Sequence, residues 1–416
     1  MTRLLIYAQV PPPLHGQSVM VGHLVEGLRQ AGQIDLAKPS DSEKNASAVI
    51  AYYHLNPRIS EDLGDIGRWR PRKLFLVFGY IFEAIRARFR YGLDTFYFVP
   101  APAKREALYR DWCVLFFCRP FFKRVIFHWH CIGQPEFIEK KLSGPERLLA
   151  RLFYGGATLS IVLSNYSREE ASYFNSQHTE VVPNGIPDPC PQFDAEAWPE
   201  RQRRAEVRAK VWSGQAKEAL FYEVLFLAGR MTPKGLFDAM AAVTQANRML
   251  AQKNLPLRLC LTVAGPFEDD AERSRYDAAA LELNATQMPG KPDPLAIHAG
   301  WADEEKKKQL YRQADCFLFP TFYPAESFGL VLTEAMAHGC AVITTRWQAV
   351  PEVLPGAYEN LVEPHDIDAM AEALLRCAVA PADHSLRDYF LARFTSERFA
   401  QEMIEVLRGL PDEDSP

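Results

Sequence analysis

The 416-residue chain has no run of 18 apolar residues, so no membrane-spanning helix is expected. Its opening, MTRLLIYAQVPPP, has too short an apolar core and the wrong flank for a signal peptide. Eight cysteines are scattered without a C-x-x-C pair. That spacing argues against a disulfide framework or a zinc site, and for reduced thiols in a cytosolic protein. No RNA- or DNA-binding module is visible, so nucleic acid is not an expected partner. Acids are scarce in one stretch. From Arg68 to Arg124 thirteen cations face four acids, a local +9 in a chain of net charge −5. Aromatics are interleaved there, and Leu74, Phe78, Ile81, Ile85 and Phe89 share one helical face. Two readings stand: a core-facing stripe with a solvated basic back, or a surface for anionic lipid or a lipid-diphosphate acceptor.

What is present is a strand–loop–helix–strand unit from Leu318 to Glu352. The apolar run Cys316 to Pro320 reads as a buried strand. A helix opens near Phe328-Gly329 and stops at Gly339, and Ala341 to Thr345 is the next strand. Such units build parallel, helix-covered sheets. Glu326 precedes the helix at the carboxyl end of a strand, where ligands bind in open α/β sheets. The backbone N–H groups of Phe328, Gly329 and Leu330 would face an anion there. Glu334 lies about two turns further on. One carboxylate at the mouth and one deeper in suit a ligand with hydroxyls at both ends and phosphate between, which is the shape of a nucleotide sugar.

Earlier in the chain, Leu4 to Val10 reads as a strand and Ser18 as the cap of a helix from Val19 to Arg29. Gly16 lies between them, where phosphate or sugar can approach the backbone, although a plain β–α turn reads equally well. Arg124 to Trp129 is a strand with His128 and His130 at its end. A histidine there can reach a hydroxyl, and His130 is favoured over His128. Pro183-Asn184-Gly185 reads as a turn whose Asn and Gly tolerate a left-handed backbone. Residues 187–218 read as a Pro-rich linker and a solvated, charged helix. Arg230 and Lys234 are two cations after the strand Glu223 to Leu227, suited to a diphosphate. In Asp366-Ile367-Asp368 the aspartate reads as a helix cap, not a metal ligand.

Glu326, Phe328, Gly329, Glu334, Ala335, Met336 and Ala337 together resemble the signature of the family-4 retaining glycosyltransferases of the GT-B fold. Gly229-Arg230 with Lys234-Gly235 resembles that family's phosphate-binding element, and Pro183-Asn184-Gly185 the turn closing its first domain. Where the family carries Gly-Gly before a final Glu, this chain has Gln348-Ala349 before Glu352. The resemblance implies two Rossmann-like, doubly wound α/β domains facing a central cleft. Residues 1–186 would bind the acceptor and 219–380 the nucleotide sugar, with 381–416 a helical segment returning to the first domain. It implies transfer, with retention, from a nucleotide-sugar donor to a saccharide or lipid-linked saccharide. UDP is the favoured carrier and GDP the next. Glu326 and His130 are the implied catalytic pair. Gly16, Arg230, Lys234, Phe328, Gly329, Leu330 and Glu334 are the implied donor contacts, with no cofactor and no metal. His298 to Trp301 matches turns near which the family binds the base. The expected setting is the cytoplasm, peripheral on the membrane face. The alternative is a non-catalytic nucleotide-sugar-binding or scaffolding subunit of a membrane glycan assembly.

Overall fold

The computed structural model describes residues 1–12, 16–38, 48–58, 71–229, 231–291 and 293–410. Arg230, Arg68 and Arg70 lie outside the described residues. The chain divides into two compact units, Met1–Pro187 with Arg393–Pro416, and Asp188–Ala392.

Unit one runs β1 (Thr2–Tyr7), α1 (Gly16–Gln30), β2 (Ile34–Asp35), β3 (Ile50–Leu55), α2 (Pro71–Arg90), β4 (Thr95–Phe98), α3 (Arg105–Cys118), β5 (Arg124–Trp129), α4 (Gln134–Lys141), α5 (Gly144–Tyr154), β6 (Leu159–Val162), α6 (Arg168–Tyr173) and β7 (His178–Val181). Among the described residues its sheet is parallel throughout, in the order β2-β3-β1-β4-β5-β6-β7. Such strands are buried on both faces and therefore read as apolar runs; β4 and β6 are buried at every position. The core is aromatic, with Trp129 stacked on Phe174 at 5.3 Å between ring centres. Because α1 starts at Gly16, Ser18 lies inside its first turn and is not the expected cap. Glycine at 185 serves close approach, not a left-handed turn. Neither Asn184 nor Gly185 has positive φ. A Cβ at Gly185 would sit 2.4 Å from the Thr395 carbonyl oxygen.

Unit two runs α7 (Trp198–Trp212), β8 (Leu220–Leu227), α8 (Leu236–Gln252), β9 (Leu257–Ala264), α9 (Asp270–Asn284), β10 (Ala296–Gly300), α10 (Glu304–Gln313), β11 (Cys316–Phe319), α11 (Leu330–Ala337), β12 (Ala341–Thr345), β13 (Leu361–Val362), α12 (Ile367–Val379) and α13 (Ser385–Arg393). The closing helix α14 (Ser396–Arg408) belongs to unit one. The second sheet is parallel in the order β10-β9-β8-β11-β12-β13. Its winding reverses between β8 and β11, and loops leaving those two strands flank the crevice of a doubly wound sheet. Those strands are in register only at Val224 with Cys316 and Leu225 with Phe317, and they part beyond.

The charged helix α7 is not simply solvated. Arg201 and Arg208 are buried. Arg201 donates to the carbonyls of Ala314 and Tyr311 at 2.8 and 3.0 Å, closing the C-terminus of α10. A cation at a helix C-terminus meets the negative end of the dipole. Asp366 does cap α12, accepting from the Ala369 N–H. Among the described residues no cysteine is in a disulfide; four of the eight are buried and four only half-buried.

Candidate active site

Two loops meet at the switch point of unit two. One follows β8 and carries Lys234. The other follows β11 and carries Glu326. Gly235 lets them close: its φ is +89°, and a Cβ there would stand 2.1 Å from the Pro320 carbonyl oxygen. Only glycine takes that backbone without strain and without a clash. The Phe322 N–H donates to the Pro233 carbonyl at 3.1 Å and ties the loops again. Buried Glu272, from α9, accepts the Thr232 N–H at 2.9 Å and the Glu268 N–H at 2.7 Å. Glu272 thus positions the lysine-bearing loop, a role the sequence gives no local sign of.

The result is a direct ion pair between Lys234 and Glu326, 92 positions apart. Glu326 is buried, and Thr321 Oγ1 donates to its Oε2 at 3.2 Å. The Lys234 ammonium lies 4.7 Å from the centre of the Tyr323 ring and 5.4 Å from that of Phe319. A buried carboxylate is tolerable only when paired in this way. Behind it, α11 opens at the same sheet edge with Gly329, φ +81°, as its N-cap and buried Phe328 before it. The positive end of that helix completes an anion-favouring surface.

Glu334 sits one element deeper with partners of its own. Lys307 Nζ donates to Oε1 at 2.7 Å and the Tyr311 hydroxyl to Oε2 at 3.1 Å. Burial works against the Lys307 charge, but the carboxylates of Glu334 and Glu304 together outweigh it and hold the ammonium above its usual range. Lys307 and Tyr311 went unremarked in the sequence. Their i, i+4 spacing on a helix was the available signal. Where the family signature has Gly-Gly, Gln348 itself adopts φ +48°. Its amide donates to the Pro324 carbonyl at 2.8 Å, and the Trp347 indole N–H donates to that of Tyr323 at 2.8 Å. Two side chains therefore fasten the loop that carries Glu326.

In unit one, Gly16 begins α1 beside the β1–β4 switch, and Gln17 Nε2 reaches the Pro100 carbonyl across it at 3.5 Å. His130 lies just past β5 and is buried. His128 is committed inside the fold: it shares a hydrogen bond with the Tyr97 hydroxyl, and burial, aided by nearby His130, keeps its ring neutral. Glu170, on α6, accepts the Gly133 and Gln134 N–H groups and so anchors the loop after His130. Within β10, His298 Nε2 meets the Gly265 carbonyl at 2.9 Å, and just after the strand Trp301 is exposed.

A pair of parallel doubly wound units, the second bearing cation–carboxylate pairs at its switch point, defines a tandem Rossmann-like α/β protein. Residues 222–379 match the profile of the family described as glycosyl transferases group 1. Among the chain's relatives is an O-antigen chain mannosyltransferase B of Escherichia coli, 26% identical over 57% of this chain and 55% of its own length. Another is a D-inositol 3-phosphate glycosyltransferase of Corynebacterium efficiens, 29% identical over 47% of this chain and 43% of its own. The chain thus spans about half the length of these relatives. Among solved structures, a sucrose-phosphate synthase of Thermosynechococcus elongatus aligns at TM-score 0.63, with 19% identity and 99% of each chain covered. Anabaena HepE in complex with UDP and glucose aligns at 0.60, with 15% identity, covering 99% of this chain and 100% of its own. At these identities the likeness is one of fold, the GT-B architecture.

Proposed function

We propose that the protein is a retaining glycosyltransferase moving a sugar from a nucleotide-sugar donor to a saccharide or lipid-linked saccharide. The observation that carries this reading is the Lys234–Glu326 pair at the switch point, beside the N-terminus of α11. A lysine ammonium has three donors. One serves Glu326, and the others are available to a diphosphate oxygen. Arg230, from the same loop, adds a second cation in this reading. The dipole of α11, through the backbone at Phe328, Gly329 and Leu330, bears further negative charge. Glu326 accepts hydroxyls of the donor sugar. Glu334, held by Lys307 and Tyr311, accepts those of the ribose. In unit one, His130 is a hydrogen-bonding group for a sugar hydroxyl, and Gly16 allows close backbone approach.

In the reaction the anomeric C–O bond to the diphosphate breaks. A new C–O bond to the acceptor oxygen forms on the same face, and the acceptor's proton passes to the departing diphosphate. The protein's part is positioning and charge stabilisation. UDP is the favoured carrier, because HepE, of like fold, is described with UDP-glucose; GDP is next. Assembly of surface polysaccharide or glycolipid, at the cytoplasmic membrane face, is the proposed setting. It is supported by the O-antigen relative and by the basic segment ending at Arg124.

A thermal-shift panel of UDP, GDP and their sugars tests donor binding, since a ligand of the folded state raises its apparent stability. Sugar release from the stabilising donor, followed with and without saccharide acceptors, tests transfer. Glu326→Ala is expected to lose turnover by at least a hundredfold while keeping its melting profile. A wild-type rate in that variant overturns the assignment. Donor binding without any turnover favours the non-catalytic subunit.

A further inference from the structure

Helix α2 carries two apolar stripes. Val77, Ile81, Ala84 and Ala87 are the core-facing one, each at most 4% exposed. Phe75, Phe82 and Phe89, seven residues apart, form the other and are 67–79% exposed. Leu74 and Phe78 also point to solvent, so the single core-facing stripe read from sequence is split. Exposure on this scale continues on neighbouring elements. Phe116 of α3 is 58% exposed, and Leu148 and Leu152 of α5 are 68% and 64%. The rings make one surface: Phe78 lies 5.7 Å from Phe117, Phe117 4.9 Å from Phe116, and Phe116 6.1 Å from Phe153 of α5. At the other end Phe89 meets Phe121 at 5.9 Å. Proteins rarely leave so large a contiguous apolar face in water without a partner for it.

The exposed charges described on α2 are of one sign. Arg86 and Arg90 are exposed on α2. Arg88 donates to the Phe121 carbonyl at 2.7 Å and lies over the Phe89 ring. The acid of that helix, Glu83, is turned away and accepts the Tyr53 hydroxyl at 2.9 Å. A symmetric pairing with a second copy would set these arginines against one another, whereas anionic lipid headgroups complement them. Among the described residues no helix is long and apolar enough to cross a membrane. A face with aromatic residues at its centre and arginines beside it suits a helix lying in the interface.

We infer that α2, α3 and α5 together form a seat for an anionic lipid surface. Phe75, Phe82, Phe116, Leu148 and Leu152 enter the acyl boundary, and Arg86 and Arg90 meet the headgroups. That the acceptor is presented by this lipid rests on the proposed glycosyl transfer; the seating itself does not. The inference also differs from a purely electrostatic one. α5 lies outside the basic segment, and its Arg147 and Arg151 are paired with Glu139, so its contribution comes through Leu148 and Leu152 and that part of the binding resists salt.

Flotation of the full chain with phosphatidylcholine vesicles, with and without phosphatidylglycerol, at low and high salt, decides the matter. Wild type is expected to float with the anionic vesicles and to retain a bound fraction at high salt. Leu148→Ser with Leu152→Ser, which changes no charge, is expected to weaken binding more than tenfold. So is Phe75→Ser with Phe82→Ser, and Arg86→Gln with Arg90→Gln is expected to abolish the preference for anionic vesicles. Failure of wild type to float overturns the inference, and so does wild-type flotation by both apolar variants. A lipid-independent dimer that these substitutions dissolve assigns the face to a second copy and also overturns it. Circular dichroism and UDP titration of each variant separate this result from the donor assignment. Loss of flotation with UDP binding intact bears on the seat alone, and flotation without UDP binding bears on the donor site alone.

Discussion

Lys234 and Glu326 hold one another across the crevice of unit two, and Lys307 and Glu334 do the same one element deeper. Each lysine neutralises a carboxylate that would otherwise be costly to bury. Lys234→Ala is therefore expected to weaken nucleoside diphosphate binding by roughly ten- to a hundredfold, the worth of about 1.5–3 kcal/mol for a charge-assisted contact. Calorimetric titration with UDP checks it, and unchanged affinity removes Lys234 from the phosphate site. His338 offers a separate test at the C-terminus of α11. Its Nδ1 bonds the Glu334 carbonyl at 2.8 Å and its ring stacks on Tyr311. Burial lowers its pKa to about 4, with Arg201 and Arg387 adding to the effect. The unfolded chain takes up this proton near pH 6.5 and the folded chain only near 4. This contribution to stability is thus complete above pH 6.5 and falls away as pH drops toward 4, by roughly 3 kcal/mol. Denaturant unfolding across that range should show a shallower pH dependence in His338→Asn than in wild type. Equal slopes would refute the assignment.

Among the elements, strands read from apolar runs come out within a few residues, because parallel strands covered on both faces leave no polar alternation to misplace them. The loops are less legible. That Gln348 takes a left-handed backbone and fastens the Tyr323–Pro324 loop could not be read from a motif built on glycine. The two apolar stripes of α2 could not be told apart either, since periodicity marks apolar faces without saying which one a neighbour covers. Gly235 gives the sharpest test at this scale. Gly235→Ala adds both left-handed strain and a clash with Pro320. A loss of at least about 2 kcal/mol is expected, together with weaker UDP binding, because the lysine-bearing loop must retreat from β11. Melting and titration of the variant check it; a wild-type melting temperature would mean the loop relaxes freely.

For the molecule as a whole, the chain leaves unit one after Pro187 and re-enters it at Arg393. The two passages are tied side by side, Ile186 N–H to the Phe394 carbonyl at 2.8 Å and Ser396 N–H to the Ile186 carbonyl at 2.9 Å. From there α14 packs on α1, where a Cβ on Gly27 would come within 2.5 Å of the Ala400 Cβ. Gly27→Leu is expected to push α14 off and cost several kcal/mol, about what overpacking of a tight contact costs at its upper end. Scanning calorimetry should show unit one melting earlier. UDP stabilisation should persist, since Lys234, Glu326 and Glu334 all lie in unit two. An unaltered thermogram would show that the helix contact is loose.

The sequence by itself determined the α/β class, the positions of most strands and helices, and the spacing that sets Glu326 before α11 and Glu334 within it. These are local properties, written in apolar periodicity, caps and short motifs. Tertiary structure decided which charges meet. Lys234 reaches Glu326 because β8 lies beside β11 in the sheet, and Lys307 reaches Glu334 because α10 comes alongside α11. It also decided which phenylalanines remain in solvent and where α14 returns. Contacts between distant positions follow from strand order and the layers packed on it, which no window of a few residues contains.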